Sequence, residues 1–217
     1  AGDAAGALAA LRALDAAAAG SCDLSERLAN LARRLGAVDL AWRYARQAAR
    51  IQPRSAAALL QLAAVERDLD ETAAVAGRLR QARDLAPDSA EPRLALAAFL
   101  ESESHFAEAE AERRALVALQ PDNPAGWGLL ATNLHLQERW DDARAALDGA
   151  ERLAPGNPAV WTLRAQIDLD EAARAPERAA ELRARARRTL EEGVRAAPVP
   201  AGWFLLGRAC EEGGGDD

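Results

Sequence analysis

The chain has 217 residues, half of them hydrophobic, so it can bury a sizeable core as one or two domains. Only 4% of the residues are aromatic, and most of the apolar content is alanine and leucine, which favours close-packed helices over a sheet. The net charge of −7 argues against general affinity for nucleic acid or an anionic membrane, and the absence of lysine excludes a lysine Schiff base or a P-loop.

The first predicted element is a helix over residues 3–20. Ala7, Leu11 and Leu14 recur on one face of this segment at helical spacing. These positions correspond to those of the second helix of a helix pair, so we interpret the segment as a capping helix or as half of a preceding repeat.

A period of 34 residues governs the next part of the chain. The prolines Pro53, Pro87, Pro121 and Pro155 are each 34 residues apart, and each follows a segment rich in alanine and leucine. Proline lacks an N–H donor and restricts the residue before it, so each proline marks the end of a helix. The period predicts four helix-turn-helix repeats, which span 22–55, 56–89, 90–123 and 124–157.

The fourth repeat shows its two helices most clearly. Apolar and small residues share one face of each helix, Trp127, Leu130, Ala131 and Leu134 on the first and Ala143, Leu147 and Ala150 on the second. These residues resemble the tetratricopeptide repeat pattern W-x2-L-G-x2-Y…A-x3-F…P, and the resemblance covers nearly the whole chain. It implies an all-α fold, a right-handed α-α superhelix (a solenoid) of about five helix-turn-helix repeats plus terminal half-repeats.

Certain residue types recur at fixed positions of the repeat. Small residues occupy the place where two paired helices should approach closely, namely Ala29, Ala63, Ala97, Ala131, Ala165 and Gly207. Tryptophans also recur at one position, at 127, 161 and 203, and we expect all three in the core. On the second helix of the first repeat, Tyr44 is expected to reach the outer surface.

The fifth repeat departs from the period. From Pro155 to Pro198 the spacing is 43, nine residues more than the period, so we predict a lengthened repeat over 158–199 with longer helices. Its arginines alternate with glutamates and allow pairs such as Glu181–Arg185, which predicts a solvated, self-paired helix rather than a nucleic-acid-binding one.

The last segment, 200–217, reads as the first helix of a truncated further repeat. It begins a new apolar stripe with Trp203 and Leu206 and then stops at its turn. An amphipathic helix without a partner leaves apolar surface exposed, so we expect the polypeptide to continue beyond Asp217 or another chain to cover this end.

The first helices of stacked repeats line a concave groove, which suits an extended peptide or a partner helix better than a compact metabolite. Positions beside the core stripe should face this groove, among them Glu26, Ala64, Ala98 and Thr162. The predicted partner-binding residues are Asn30, Arg33, Arg34, Leu60, Arg67, Leu94, Glu101, Thr132, His135 and Gln166.

No catalytic residue, metal ligand or cofactor is predicted. His105 lies in a turn expected to be solvated, and His135 has no second histidine, cysteine or serine at a supporting spacing. Cys22 and Cys210 lie far apart without a CxxC motif, which indicates unpaired thiols. The carboxylate clamp of some tetratricopeptide repeats is not expected, because Asn30 is a lone match and lysine is absent.

The leading functional hypothesis is a non-catalytic scaffold that binds a peptide or partner protein in its groove, as part of a larger protein or assembly, with no nucleic-acid partner and no membrane insertion. One alternative is the regulatory or substrate-recruiting region of an enzyme whose catalytic domain lies outside this chain. Another rests on residues 124–217, which resemble the repeat region of bacterial cytochrome c maturation chaperones that bind apocytochrome tails in the periplasm. The compartment, cytoplasmic or periplasmic, stays open.

Overall fold

The structure, a computed structural model, describes residues 4–69 and 72–211. These residues contain no β-strand, which confirms the all-α prediction. The described residues also include two short 3-10 helices, at Thr72–Ala74 and Pro176–Arg178. The α-helices of the described residues are α1 (Ala4–Ala13), α2 (Asp15–Ala18), α3 (Cys22–Arg34), α4 (Val38–Ile51), α5 (Ala56–Asp68), α6 (Val75–Leu85), α7 (Ala90–Ser102), α8 (Phe106–Leu119), α9 (Pro124–Leu136), α10 (Trp140–Leu153), α11 (Pro158–Arg174), α12 (Ala179–Ala196) and α13 (Pro200–Glu211).

The helix starts follow the sequence period because the capping residues recur with it. Side chains of Ser21 and Ser55 accept hydrogen bonds from backbone N–H groups in the first turns of α3 and α5, each at 3.2 Å. Asn123 and Asn157 cap α9 and α11 in the same way, each at 3.0 Å. Such caps satisfy N–H groups that have no partner within the helix.

The helix ends follow the prolines. The helices α4, α6, α8 and α10 each end two residues before one of the four prolines of the period. Between paired helices, the turn residues Gly36, Ser104 and Glu138 have positive φ angles of 71°, 62° and 59°. Only the first of them is a glycine, so the other two hold a backbone conformation that is unfavourable for L-residues.

The chain divides into two compact units, one up to Ser102 and one from Glu103. In the N-terminal unit α3 packs on α4, and the following helices up to α7 each pack on the next. In the C-terminal unit α8 packs on α9, and each later helix packs on the next one up to α13.

The small residues of the repeat lie where the helices meet. Ala29, Ala63, Ala97, Ala131 and Ala165 are all fully buried, as predicted. Gly207 does not follow this prediction, because it is exposed and a Cβ added to it would meet nothing within 4 Å. Among the described residues no helix follows α13 that could approach it.

The aromatic residues differ from the prediction at two positions. Tyr44 is 1% exposed rather than at the outer surface, because α1 and α2 cover it. Its hydroxyl donates to the carbonyl of Leu11 at 2.9 Å and also contacts the carboxylate of Asp15. Trp161 is buried as predicted, but Trp203 is 58% exposed.

The lengthened fifth repeat contains the longest helices of the described residues. Helix α11 has 17 residues and α12 has 18, whereas α9 and α10 have 13 and 14. The 3-10 helix Pro176–Arg178 lies between α11 and α12. The residues beyond the period therefore lie in both helices and in the turn between them.

A buried ion cluster joins three helices of the C-terminal unit. The side chain of Asp168 on α11 is fully buried, and it accepts from Arg144 of α10 at 2.8 Å and from Arg185 of α12 at 2.7 Å. Glu171, one turn later on α11, pairs with Arg178 at 2.6 Å and also with Arg144. The prediction that Arg185 pairs along its own helix is therefore wrong, since its guanidinium lies on a carboxylate of α11.

The hydrogen bonds of this cluster keep its arginines positively charged. Burial acts to lower the pKa of the Arg144 guanidinium, but its hydrogen bonds to Glu171 and Asp168 outweigh burial and raise the pKa above its ordinary value. The hydrogen bond to Asp168 likewise raises the pKa of Arg185. The arginines therefore stay charged and compensate the two buried carboxylates.

Candidate peptide-binding surfaces

In the N-terminal unit, the first helices of three repeats line a cavity of about 350 Å³, which we call the α3/α5/α7 groove. Three of the predicted partner-binding residues, Asn30, Arg33 and Leu60, line it. The full lining is Glu26, Asn30 and Arg33 from α3, Ala57, Leu60, Gln61 and Ala64 from α5, and Glu91 and Ala95 from α7.

The polar residues of the groove differ in whether their side chains form hydrogen bonds within the protein. Arg33 donates from Nε to Asp68 Oδ2 at 2.5 Å, which ties the C-terminal ends of α3 and α5 together. Gln61 donates from Nε2 to the carbonyl of Glu26 at 2.5 Å, while its Oε1 is buried without a hydrogen-bond partner. Asn30 is exposed, and its side-chain amide forms no hydrogen bond with any residue that the structure describes.

The sequence prediction missed four lining residues, Ala57, Gln61, Glu91 and Ala95. Helical spacing carries a signal for all of them. Positions 57, 60, 61 and 64 fall on one face of α5, and 91 and 95 fall on one face of α7. The prediction followed only the positions next to the core stripe and therefore covered too narrow a face.

The other predicted residues of this unit do not line the α3/α5/α7 groove. Arg34 and Arg67 are exposed on α3 and α5. Leu94 is exposed on α7, and Glu101 is half-buried near the end of the same helix.

In the C-terminal unit the predicted residues converge on a carboxylate that the sequence prediction missed, Asp170 of α11. His135 Nε2 of α9 lies 3.0 Å from Asp170 Oδ2, and Gln166 Nε2 lies 2.7 Å from each carboxylate oxygen. Arg208 of α13 donates from Nη2 to Asp170 Oδ1 at 2.9 Å. A cavity of about 370 Å³ beside this network is lined by His135, Leu136, Glu138, Trp140, Asp170, Ala173 and Arg174.

The hydrogen bonds of this network set the charge state of Asp170. Burial acts to raise the pKa of the Asp170 carboxyl group, but the hydrogen bonds from Gln166, Arg208 and His135 outweigh burial and lower it below its ordinary value of 3.8. Thr132, the remaining predicted residue of this unit, donates to the carbonyl of Gly128 in its own helix at 3.0 Å. The predicted contact residues of this unit are thus largely engaged within the protein.

The thiols and histidines offer no assembled reactive site. Cys22 is buried without a disulfide, and burial, a hydrogen bond to Glu26 and nearby acidic charge raise the pKa of its thiol to about 11. His105 is exposed in the turn before α8, as predicted. Among the described residues, no three histidine, cysteine, aspartate or glutamate side chains are grouped so as to hold a metal ion.

No described helix combines the length and the hydrophobicity that a membrane span requires.

Comparison with known proteins identifies the repeat. The model of the family described as tetratricopeptide repeat matches residues 100–167. No curated protein matches the chain.

Several solved structures have the same fold. A tetratricopeptide repeat protein from Parabacteroides merdae has a TM-score of 0.74 at 16% identity, with 98% of this chain and 82% of that chain covered. The C-terminal part of a repeat-containing protein from Cytophaga hutchinsonii has a TM-score of 0.71 at 14% identity, with 98% and 76% covered. YrrB, described as a TPR protein with an unusual peptide-binding site, has a TM-score of 0.65 at 14% identity, with 88% and 93% covered.

At these identities the structural likeness shows the fold, an all-α arrangement of helical repeats. The family match covers the central residues of the chain, which include Trp127 and Trp140 of the fourth repeat. Residues 100–167 therefore match the tetratricopeptide repeat family, and the chain as a whole has the fold of tetratricopeptide repeat proteins.

Proposed function

We propose that this chain is a non-catalytic scaffold that holds an extended peptide of a partner protein in the α3/α5/α7 groove. Tetratricopeptide repeat domains bind proteins or peptides and are generally non-catalytic scaffolds. The proposal rests on two residues of one groove. The side-chain amide of Asn30 forms no hydrogen bond with the described residues, and Leu60 supplies an apolar side chain.

The chemistry of the groove fits a peptide backbone. An asparagine amide has both donors and an acceptor, so Asn30 can bind the N–H and C=O groups that an extended peptide presents at every residue. Leu60, Ala57 and Ala64 supply an apolar strip on α5 for one or two side chains of the peptide. The description of YrrB as a peptide-binding TPR protein supports a peptide as the ligand class.

Charge favours a neutral or basic peptide. Glu26 and Glu91 line the groove, and the charge of its arginine, Arg33, is compensated by Asp68. The groove therefore carries a net negative charge, and a strongly acidic peptide should bind less well.

The experiment is a selection followed by a titration. Peptides selected from a phage-displayed random library against the whole chain are labelled and titrated by fluorescence anisotropy. Leu60→Asp and Asn30→Ala should each weaken binding, the first by about tenfold or more because a charge replaces the apolar contact. Leu153→Asp, which places the same charge on an exposed leucine of α10, is the matched control and should change the Kd by less than about twofold.

Circular dichroism establishes that each variant is folded. If folded Leu60→Asp and Asn30→Ala bind the selected peptides as tightly as the unsubstituted chain, the ligand does not occupy this groove.

A further inference from the structure

A second cavity in the N-terminal unit lies on the second helix of the first repeat. It has a volume of about 600 Å³, larger than that of the α3/α5/α7 groove, and shares no lining residue with it. We call it the α4 pocket. Its lining is Ala19 together with Trp42, Arg43, Arg46, Gln47, Arg50 and Ile51 of α4.

The α4 pocket is positively charged in a protein of net charge −7. Arg43 is compensated, because it donates to both carboxylate oxygens of Asp15 at 2.9 and 2.8 Å. Arg46 instead lies over the ring of Trp42, with 4.9 Å between the guanidinium carbon and the ring centroid. Arg50 is exposed and forms no ion pair with the described residues. The guanidinium groups of Arg46 and Arg50 therefore have no carboxylate partner among the described residues.

Two other residues of the α4 pocket lining each contain a buried donor that lacks an acceptor among the described residues. Trp42 Nε1 and Gln47 Nε2 are both buried without a hydrogen-bond partner. A buried polar group without a partner destabilises the folded protein, and most such groups in proteins are paired. A ligand that brings carboxylate oxygens into the pocket would pair with the two guanidinium groups, whereas a basic or purely apolar ligand would not.

We propose that the α4 pocket binds the carboxylates of an acidic peptide segment that also contains an apolar residue. Guanidinium groups bind carboxylates through paired hydrogen bonds, and tryptophan and arginine are the side chains most often dominant at protein interfaces. The indole of Trp42 and the side chain of Ile51, which is 36% exposed, give the apolar residue a contact that a simple inorganic anion would not use. This site is independent of the α3/α5/α7 groove, whose charge favours the opposite kind of peptide.

The test uses the whole chain and a fluorescein-labelled peptide of alternating glutamate and leucine, titrated at low ionic strength. The same peptide with glutamine in place of glutamate should not bind measurably. Arg46→Ala/Arg50→Ala should weaken binding by about tenfold or more. Arg187→Ala/Arg188→Ala, which removes two exposed arginines from α12 and changes the net charge equally, should change the Kd by less than about twofold.

The melting temperature separates binding from structure. Arg46→Ala/Arg50→Ala should weaken peptide binding without lowering the melting temperature, because both side chains are exposed. The proposal is overturned by a Kd unchanged in Arg46→Ala/Arg50→Ala, by an equal loss in both double variants, or by no binding of the acidic peptide to the unsubstituted chain. Binding of phosphatidylserine vesicles that depends on these arginines, without peptide binding, would equally overturn it.

Discussion

At the scale of single residues, two glycines explain where the tryptophans of the repeat lie. A Cβ on Gly149 of α10 would lie 2.7 Å from two ring carbons of Trp127, and a Cβ on Gly193 of α12 would collide with the ring of Trp161. Glycine in a helix interior costs stability, so its presence at both places is explained by the indole that occupies the space of a side chain. Trp203 is exposed because, among the described residues, no second helix with a glycine follows α13 to pack against its indole.

Gly193→Ala should lower the free energy of unfolding by about 1–3 kcal/mol, measured by urea denaturation, because the added methyl group overpacks the site. Trp161 cannot turn away easily, since it is buried and Gly202 of α13 contacts its other edge. Gly149→Ala should cost less, because Trp127 is half-buried and can move outward.

Gly77→Ala is the matched control for these variants. It lies within α6, and an added Cβ would meet nothing within 4 Å. It should therefore stabilise the protein by about 0.5–1 kcal/mol through helix propensity. A Gly193→Ala variant as stable as this control would show that the indole does not fill the space above the glycine.

The two cysteines should differ in reactivity. Cys22 is buried and the pKa of its thiol is raised to about 11, whereas Cys210 is exposed. Because the thiolate is the reactive form, a disulfide reagent at about pH 8 should modify one thiol of the folded chain quickly and the second only after unfolding. In Cys210→Ser the rapid phase should disappear. Two equally fast thiols in the folded chain would contradict the burial of Cys22.

At the scale of helices, polar pairs recur at a separation close to the repeat length. Glu26–Gln61, Arg33–Asp68 and His135–Asp170 each join successive first helices, and in every pair the residues are 35 positions apart. A sequence with a 34-residue period therefore allows such pairs to be predicted once the helices are aligned. Arg208 breaks this rule, since it reaches Asp170 across 38 positions because the fifth repeat is longer. That contact could not be predicted from the period.

The network around Asp170 should make part of the stability pH-dependent. The pKa of Asp170 is lowered from 3.8 in the folded state, so its carboxylate contributes stability that is complete above the unfolded pKa and is lost as the pH falls through the lower, folded pKa. Asp170→Asn should therefore be less stable than the unsubstituted chain near pH 7. The difference in the free energy of unfolding should shrink as the pH falls below about 4.

Urea denaturation of both proteins across this acid range gives the difference at each pH. A difference that stays constant as the pH falls would mean that the ionised form of Asp170 does not hold α9, α11 and α13 together.

At the scale of the whole molecule, the sequence period predicted where the helices begin and end, because local residues determine those positions. Prolines and capping residues end and begin helices by themselves, so helix positions followed from the period. Tertiary contacts did not follow in the same way. Tyr44 is buried because the preceding helices α1 and α2 cover it. Asp168 forms ion pairs with arginines of α10 and α12, the helices before and after α11. Neither fact is visible in the pattern of one helix.

Because helices pack mainly on their neighbours in the chain, a destabilising substitution should affect mainly the helices near it. Within each unit the packing joins helices that are near neighbours in the chain, and in repeat proteins stability is approximately a sum of such local terms. Asp168→Ala leaves Arg144 and Arg185 partly buried without their shared acceptor, and should lower the free energy of unfolding by about 3–5 kcal/mol.

Hydrogen exchange followed by mass spectrometry locates this loss. In Asp168→Ala, amide protection should fall most in α10, α11 and α12, while α3 and α4, which contain none of the cluster, should keep most of theirs. Asp148→Ala is the matched control, because Asp148 also lies in this part of the chain, on α10, but forms an exposed ion pair with Arg164. It should change the free energy of unfolding by less than about 0.5 kcal/mol, since surface ion pairs contribute little. If protection in α3 and α4 falls as far as in α11, the chain unfolds as one cooperative body. The repeat description of its stability would then be wrong, because local terms alone do not carry a defect through every helix.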